Sequence, residues 1–428
     1  MPRGRGLEFF WVIGAAAALV FGAAAPVEAA GQSAWVGTWA SAQMSVDAKD
    51  ALPPAASSDV TLRQLVRASL GGSRVRIHVS NAFGREPLTI ADVDIARAVA
   101  PGSSRIDPAT DRPVTFRGAR SVTIPAGAEY VSDPVAIPVQ PLATLAVSMH
   151  LANLPKLETG HPGSRATSYF VAGDAVSAKE LSGAATTDHW YFLSGIDVER
   201  PVTSAIAVLG DSITDGHGVA LNTDTRWTDF LAQRLDSARA TAVLNLGIGG
   251  NRLLEDGLGP NALARFGRDV LLRAGVRYLI ILEGVNDLGV LTRDGPVAPE
   301  RHRALVQHMI AAYAQMIARA HDRGIKVIGA TIMPDGASGY YHPDASNEAD
   351  RAAVNAWIRK PGNFDAVIDF DALMRDPAHP ERLRRNFDSG DGLHPSAAGY
   401  KFMGDAVPLS LFAVAHPSRA IRPARHFR

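Results

Sequence analysis

The stretch Leu209-Gly210-Asp211-Ser212-Ile213-Thr214-Asp215-Gly216 places a serine directly after an apolar run, and far downstream Asp391-Gly392-Leu393-His394-Pro395 supplies a histidine and a carboxylate. A serine hydroxyl is a poor nucleophile near neutral pH, so a base must take its proton and a carboxylate must orient that base. His394 is the candidate base and Asp391 its orienting partner, because a spacing of three residues lets one local turn bring both side chains to the same side. Asp388 ranks lower because its spacing to His394 is longer, and His217 ranks below His394 because it shares the local segment of Ser212. The chemistry such a set can perform is nucleophilic acyl transfer. The plainer reading of the first stretch is that Ser212 or Asp211 caps the following helix. A helix start would also leave backbone N–H groups free beside developing negative charge.

Two more polar patches follow apolar runs. Asn245-Leu246-Gly247-Ile248-Gly249-Gly250-Asn251 is glycine-rich, so its backbone can approach a ligand, and the Gly250 N–H could point at the oxygen of a tetrahedral intermediate. It has neither the G-x-G-x-x-G spacing of dinucleotide folds nor the Lys-Ser/Thr ending of a phosphate loop. In Gly284-Val285-Asn286-Asp287 the Asn286 amide is a neutral donor suited to an oxyanion; losing one such donor typically costs about 10²–10³ in turnover. The alternative is a turn-forming Asn-Asp pair, with Asp287 ordering the loop.

The elements that must hold these patches are legible as hydrophobic runs. Ala205-Ile206-Ala207-Val208-Leu209 suits a parallel strand buried on both faces. Similar runs recur at Val243-Leu244, Tyr278-Leu279-Ile280-Ile281-Leu282, Val327-Ile328-Gly329-Ala330-Thr331-Ile332 and Val367-Ile368. Helical patterns separate them. The clearest spans residues 299–323, where Leu305, Met309, Ala312, Met316 and Ala320 recur at helical spacing and Gly324 stands where a cap is expected. Those methionines read as core rather than as ligands. Strands alternating with helices over residues 200–412 predict an α/β domain with a parallel sheet, whose functional groups gather at the carboxyl ends of the strands.

Residues 32–195 read differently. Arg74-Val75-Arg76-Ile77-His78-Val79, Ser121-Val122-Thr123-Ile124 and Leu145-Ala146-Val147-Ser148-Met149-His150 alternate polar with apolar, and Gly71-Gly72, Pro101-Gly102 and Pro125-Ala126-Gly127 punctuate them. This pattern predicts an all-β sandwich or jelly-roll-like unit. Ahead of it, Arg3 and Arg5 precede an apolar run from Phe9 to Ala25 that ends in small residues, the form of an export signal over residues 1–29 cleaved near Ala29. The expected location is periplasmic or secreted, with no stable membrane span once the signal is removed. Residues 413–428 form a tail.

Composition bounds the function. With 428 residues, 46% of them hydrophobic, the chain can bury sizeable cores, and 43 basic residues against 43 acidic ones argue against nucleic-acid binding. Zero cysteines remove disulfides, a thiol nucleophile and thiolate metal sites together.

Taken in order, the four patches resemble the SGNH, or GDSL-like, hydrolase superfamily, with Gly-Asp-Ser-Ile standing where the nickname has Gly-Asp-Ser-Leu. The resemblance covers residues 204–410. It implies a flavodoxin-like three-layer α/β/α domain, no metal or organic cofactor, and ester hydrolysis through an acyl-enzyme. By block position Ser212 is the nucleophile and lends its N–H to the oxyanion hole, Gly250 and Asn286 give the other donors, and Asp391 and His394 complete a triad. The β-rich unit, with Trp35-Val36-Gly37-Thr38-Trp39-Ala40 and Val79-Ser80-Asn81-Ala82-Phe83-Gly84, is similar to that of exported bacterial esterases related to carbohydrate deacetylases. It is expected to be either glycan-facing, with Trp35 and Trp39 stacking on sugars, or a scaffold with buried aromatics.

The leading expectation is therefore an exported serine esterase removing small acyl groups, acetyl foremost, from a small-molecule or glycan ester. Alternatives within catalysis are a broad short-chain or aryl esterase and an acyltransferase that passes the acyl group to a sugar. From another class comes a glycan-binding protein without turnover, against which five competent residue types at the five positions weigh. Residues 334–347, with Tyr340, Tyr341 and His342, are candidate pocket lining. A base that must be neutral to act predicts hydrolysis that falls on acidification through the histidine range.

Overall fold

The computed structural model of the chain describes residues 35–53, 58–201, 203–239 and 241–412. The leader expected over residues 1–29 and the tail over 413–428 lie outside the described residues. Among the described residues no helix is long and apolar enough to cross a membrane.

The strand Ser204–Gly210 is buried along its whole length. That pattern requires cover on both faces and suits a parallel sheet. It lies second in a five-stranded sheet ordered Thr241–Gly247, Ser204–Gly210, Val276–Leu282, Lys326–Ala330 and Ala366–Ile368, and every pairing in it is parallel. In chain order this is the flavodoxin-like arrangement, whose direction of winding reverses beside the first strand and opens a crevice at the strand ends. Ser212 follows that first strand. The strand expected over Val327 to Ile332 stops at Ala330, because Ile332 leaves the ladder and its N–H is taken by Asn355 Oδ1 at 2.8 Å. The long helix runs Pro299–His321 with Met309, Ala312, Met316 and Ala320 buried, and Gly324 follows at φ +66°.

The β-rich half consists of antiparallel sheets of five, seven and three strands. Its longest ladder pairs Thr144–Asn153 with both Ser58–Arg67 and Leu88–Arg97. Inward positions such as Leu62, Val147, Ile77 and Ile95 are fully buried, and the alternate positions Thr61, Arg63, Ala146 and Ser148 on the two central strands are buried as well, so these strands are covered on both faces where the alternation predicts burial of one.

The described residues from Trp35 onward form one compact unit with a shared hydrophobic core. The contact between the two halves has a simple cause. Thr241–Gly247 is an edge strand, and an exposed edge leaves backbone donors and acceptors unpaired. Here the Val243 N–H donates to Ser69 Oγ at 3.0 Å, and the Gly37 N–H donates to Ala274 O at 2.9 Å. Arg268 Nη2 donates to Gln43 O at 2.7 Å, and Arg273 pairs with Glu129 at 3.6 Å. Trp39 is core: it is buried edge-on against Trp190, with ring centroids 4.9 Å apart. Trp35 lies under the Arg76 guanidinium at 4.7 Å. For Trp39 burial replaces the sugar-stacking reading by the scaffold reading, whereas Trp35 is half-buried.

The β-rich half also reaches the helix that Ser212 begins. His161 Nε2 meets Asp215 Oδ1 at 2.9 Å and its Nδ1 meets Ala42 O at 2.9 Å, both groups being buried. Arg226 clasps the same joint, donating to Asp215 O at 2.8 Å and Ser164 O at 2.5 Å. Gly163 passes so close that a Cβ there would stand 1.9 Å from Asp215 Oδ2. Gly163→Ala is accordingly expected to cost about 1–3 kcal/mol of stability and to lower activity by displacing the helix of Ser212. Urea unfolding beside a rate assay checks this, and an unchanged midpoint with an unchanged rate refutes it.

Candidate active site

Ser212 is placed by its neighbours in sequence. Gly210 ends the strand, and a Cβ there would meet Thr214 Oγ1 at 2.2 Å, so the turn requires glycine. Asp211, in extended backbone, is the cap: its Oδ1 accepts from Ile213 N at 2.9 Å. The capping role therefore falls to Asp211, which leaves the Ser212 side chain free for other work. The helix lasts one turn and closes at Gly216, whose φ of +94° favours glycine.

Ser212 Oγ lies 2.8 Å from His394 Nε2, and His394 Nδ1 lies 2.6 Å from Asp391 Oδ2. A carboxylate accepts only, so Nδ1 carries the proton and Nε2 is left to accept from the serine hydroxyl. The loop is wound by its own carboxylates. Asp391 Oδ1 accepts from Leu393 N at 2.9 Å and His394 N at 2.8 Å. Burial alone would raise the Asp391 pKa, but these backbone bonds and the bond to the His394 ring outweigh it and hold the carboxyl at about 2. Asp388 accepts from Gly390 N at 2.8 Å and Gly392 N at 3.0 Å, so it shapes the loop.

His217 is not in line with Ser212. Its ring stacks on the His394 ring with centroids 4.0 Å apart and planes at 30°. Burial and then the charge of His394 lower its pKa, which keeps it neutral near pH 7. The donor atoms of His217, Asp391 and His394 lie within 4.8 Å of one another. Both His394 nitrogens already have partners, so a cation held there would have to displace the serine or the aspartate.

The glycine-rich patch folds back on the first strand: Ile248 N donates to Gly210 O at 3.0 Å and Asn251 N to Ile248 O at 3.1 Å. Gly250 takes φ +68° in this turn. Asn286 is the second residue of the helix Val285–Thr292. Its Nδ2 donates to Asn251 O at 2.7 Å and its Oδ1 accepts the Tyr341 hydroxyl at 2.6 Å. A backbone carbonyl can only accept, which fixes which end of the amide faces Asn251. The second hydrogen on Nδ2 is the one a ligand can use. Asp287 orders the adjoining loop, with Leu253 N at 2.8 Å on Oδ2 and Leu254 N at 3.1 Å on Oδ1. Of the two tasks its sequence left open, loop ordering falls to Asp287.

Three contributors are not singled out by the spacing of the sequence. Arg265, fully buried, donates to Leu246 O at 2.7 Å, Asn251 Oδ1 at 2.9 Å and Gly210 O at 3.1 Å, and pairs with Asp269 and Glu283 at 3.2 Å each. Its only local signal is an arginine inside Ala-Leu-Ala-Arg-Phe. Asn251 links Arg265 to Asn286. Tyr341, expected as pocket lining, is buried and steadies Asn286 instead.

A cluster of buried carboxyls lies behind this surface. Asp211 is pushed up to about 7, by burial first and also by the Asp287 and Asp215 charges, against the opposing Ile213 N–H and Arg265. Glu283 is raised well above the usual carboxylate range, chiefly by burial. A carboxyl that keeps its proton longer in the folded state makes stability fall as pH rises, here from about pH 4, where an unfolded aspartate titrates, towards the folded value of about 7. Asp211→Asn keeps a capping oxygen and removes the titration, so its stability is expected to decline less steeply across that window. Urea unfolding of both proteins at several pH values tests this; parallel pH curves would refute it.

Residues 208–402 match the model of the GDSL-like lipase/acylhydrolase family. No curated protein matches the chain in sequence. Among solved structures, a GDSL-like lipase from Bacteroides thetaiotaomicron VPI-5482 is 19% identical, the match covering 47% of this chain and 85% of that one with a TM-score of 0.35. An acetyl xylan esterase is 18% identical over 47% of this chain and 96% of its own, with a TM-score of 0.36. TesA is 23% identical over 47% and 95%, with a TM-score of 0.34. The strand, turn and loop that carry Ser212, Gly250, Asn286 and His394 all fall inside the matched span, and residues 208–402 form a GDSL-like lipase/acylhydrolase domain, that of a carboxylic-ester hydrolase.

Proposed function

We propose that the chain is an exported serine esterase that removes small acyl groups, acetyl foremost, from carbohydrate esters through an acyl-enzyme. The observation that carries the mechanism is the hydrogen-bonded series from Ser212 Oγ through His394 to Asp391, with bonds of 2.8 and 2.6 Å. In this reading Ser212 Oγ attacks the ester carbonyl while His394 Nε2 takes its proton, and Asp391 stabilises the imidazolium without being protonated itself. In the same reading the new oxyanion receives hydrogen bonds from the Ser212 and Gly250 N–H groups and from Asn286 Nδ2. His394 then returns the proton to the leaving alcohol, and water enters by the same route in reverse to release the acid. Export is supported by the basic start and apolar run of residues 1–29. The carbohydrate substrate is supported by the resemblance of the β-rich half to that of exported deacetylases.

Four comparisons test this. With 4-nitrophenyl acetate, Ser212→Ala is expected to lose about 10³-fold or more in kcat; equal rates in wild type and variant would refute the serine mechanism. His394→Ala is expected to fall as far, whereas His217→Ala keeps at least about a tenth of the wild-type rate; the opposite order would move the base to His217. Asn286→Ala is expected to lower kcat by about 10²–10³. Tyr341→Phe removes one neutral hydrogen bond and leaves the donor in place, so a loss of about tenfold in kcat with little change in KM is expected. A loss confined to KM would assign Tyr341 to ground-state binding.

A further inference from the structure

The segment after the strand Lys326–Ala330 is held between two parts of the site. On one side, the Gly339 N–H donates to Asp391 O at 3.3 Å, and Gly392 passes so near that a Cβ there would be 2.2 Å from Ala337 O. On the other side, the Tyr341 hydroxyl reaches Asn286 Oδ1 at 2.6 Å. Between these anchors the segment is wound on Ser338, whose Oγ accepts from Tyr340 N at 3.3 Å and Tyr341 N at 3.2 Å, and whose carbonyl accepts from His342 N at 3.1 Å. His342 closes the turn at φ +50°, a conformation that this set of bonds has to hold.

The residue this winding presents outward is Tyr340, 61% exposed. Its ring is fixed edge-on to the Tyr341 ring, with centroids 4.7 Å apart and planes at 74°, and Arg293 stands beside its hydroxyl. A single exposed aromatic needs no explanation in general. This one rests against Tyr341 on a hydrogen-bonded turn, and its neighbours in sequence touch the Asp391 loop on one side and the Asn286 amide on the other. On the second oxyanion position, Leu258, also 61% exposed, lies 3.0 Å from where a Gly250 Cβ would be.

Resting on the esterase reading above, we propose that Tyr340 is a substrate-binding platform that takes the sugar ring of an acylated carbohydrate on its exposed face. A pyranose offers a face of C–H groups with partial positive charge, and an aromatic face carries negative charge, so the two stack. A ring already held by Tyr341 and the turn loses little freedom on binding, so the contact energy is realised as affinity. The leaving group of the ester is then oriented by stacking, with its acyl carbonyl directed to the oxyanion donors.

The test compares kcat/KM on an O-acetylated xylo-oligosaccharide with kcat/KM on ethyl acetate, which has the same acyl group and no ring. For Tyr340→Ala the ratio of the two is expected to fall about five- to tenfold, through KM on the oligosaccharide. Tyr340→Phe, which keeps the ring and loses the hydroxyl, is expected to restore the wild-type ratio. An unchanged ratio in Tyr340→Ala overturns the proposal, including the case in which both rates fall together because Tyr341 and Asn286 have shifted. A ratio that stays low in Tyr340→Phe overturns stacking in favour of the hydroxyl. Wild-type enzyme that cleaves ethyl acetate and leaves the oligosaccharide intact overturns the carbohydrate reading itself, and it does so before any variant is made.

Discussion

The buried guanidinium of Arg265 is the interaction on which the site's geometry depends. It grips Gly210 O at the end of the first strand, Leu246 O at the end of the second, and the Asn251 side chain that leads to Asn286. The ends of two paired strands and the loop that follows the second are thereby fixed to one rigid, planar donor. Burying such a charge is costly unless it is paired and its hydrogen bonds are satisfied. Here Asp269 supplies the counter-charge: burial would raise its pKa, but Arg268 and Arg265 together hold it below the usual carboxylate range. Glu283, on the other side of Arg265, is pushed the opposite way and favours its proton. The guanidinium is thus neutralised once and bonded on every side, and removing it would strand carbonyls and carboxyls in the interior together.

The β-rich half has a physical role that follows from the edge strand. The order of the parallel sheet puts Thr241–Gly247 at its border, and the strand that follows Ser212's helix in space is therefore exposed unless something covers it. The Ser69 hydroxyl takes the Val243 N–H at that border, and His161 and Arg226 lock Asp215 at the end of the one-turn helix that Ser212 begins. A helix of one turn has little stability of its own. Its position is set by what clasps it, and half of the clasp comes from residues far back along the chain.

At the carboxyl ends of the strands, the groups that can act on an ester are held by short local devices and joined by long-range ones. Asp391 winds its own loop through two backbone bonds, so its carboxyl stays ionised although it is partly buried. Asn286 could turn its amide either way, and the choice is made by Asn251 O and the Tyr341 hydroxyl. The stacked His217 ring limits the positions open to the His394 ring on one face. Each device is modest in energy. Together they leave the serine hydroxyl, the imidazole and the amide with little freedom before a substrate arrives.

The sequence by itself determined the strands, because a continuous apolar run such as Ala205 to Leu209 can only be satisfied by burial on both faces, and alternation such as Arg74 to Val79 only by burial on one. It also singled out the polar positions at the strand ends, since Ser212, Gly250 and Asn286 each follow an apolar run, while Asp391 is tied to His394 by local spacing. Only the tertiary structure decided the rest. Arg265 sits in an apolar stretch where Asp269 is a local partner but Gly210, Leu246 and Glu283 are not, Tyr341 was legible as an aromatic in a loop and not as the group that orients Asn286, and Trp39 was ambiguous between a sugar platform and a core residue. In each case the deciding partner is distant in sequence. Periodicity and spacing report what a residue does within its own element, whereas a hydrogen bond across the fold exists only once the elements have packed.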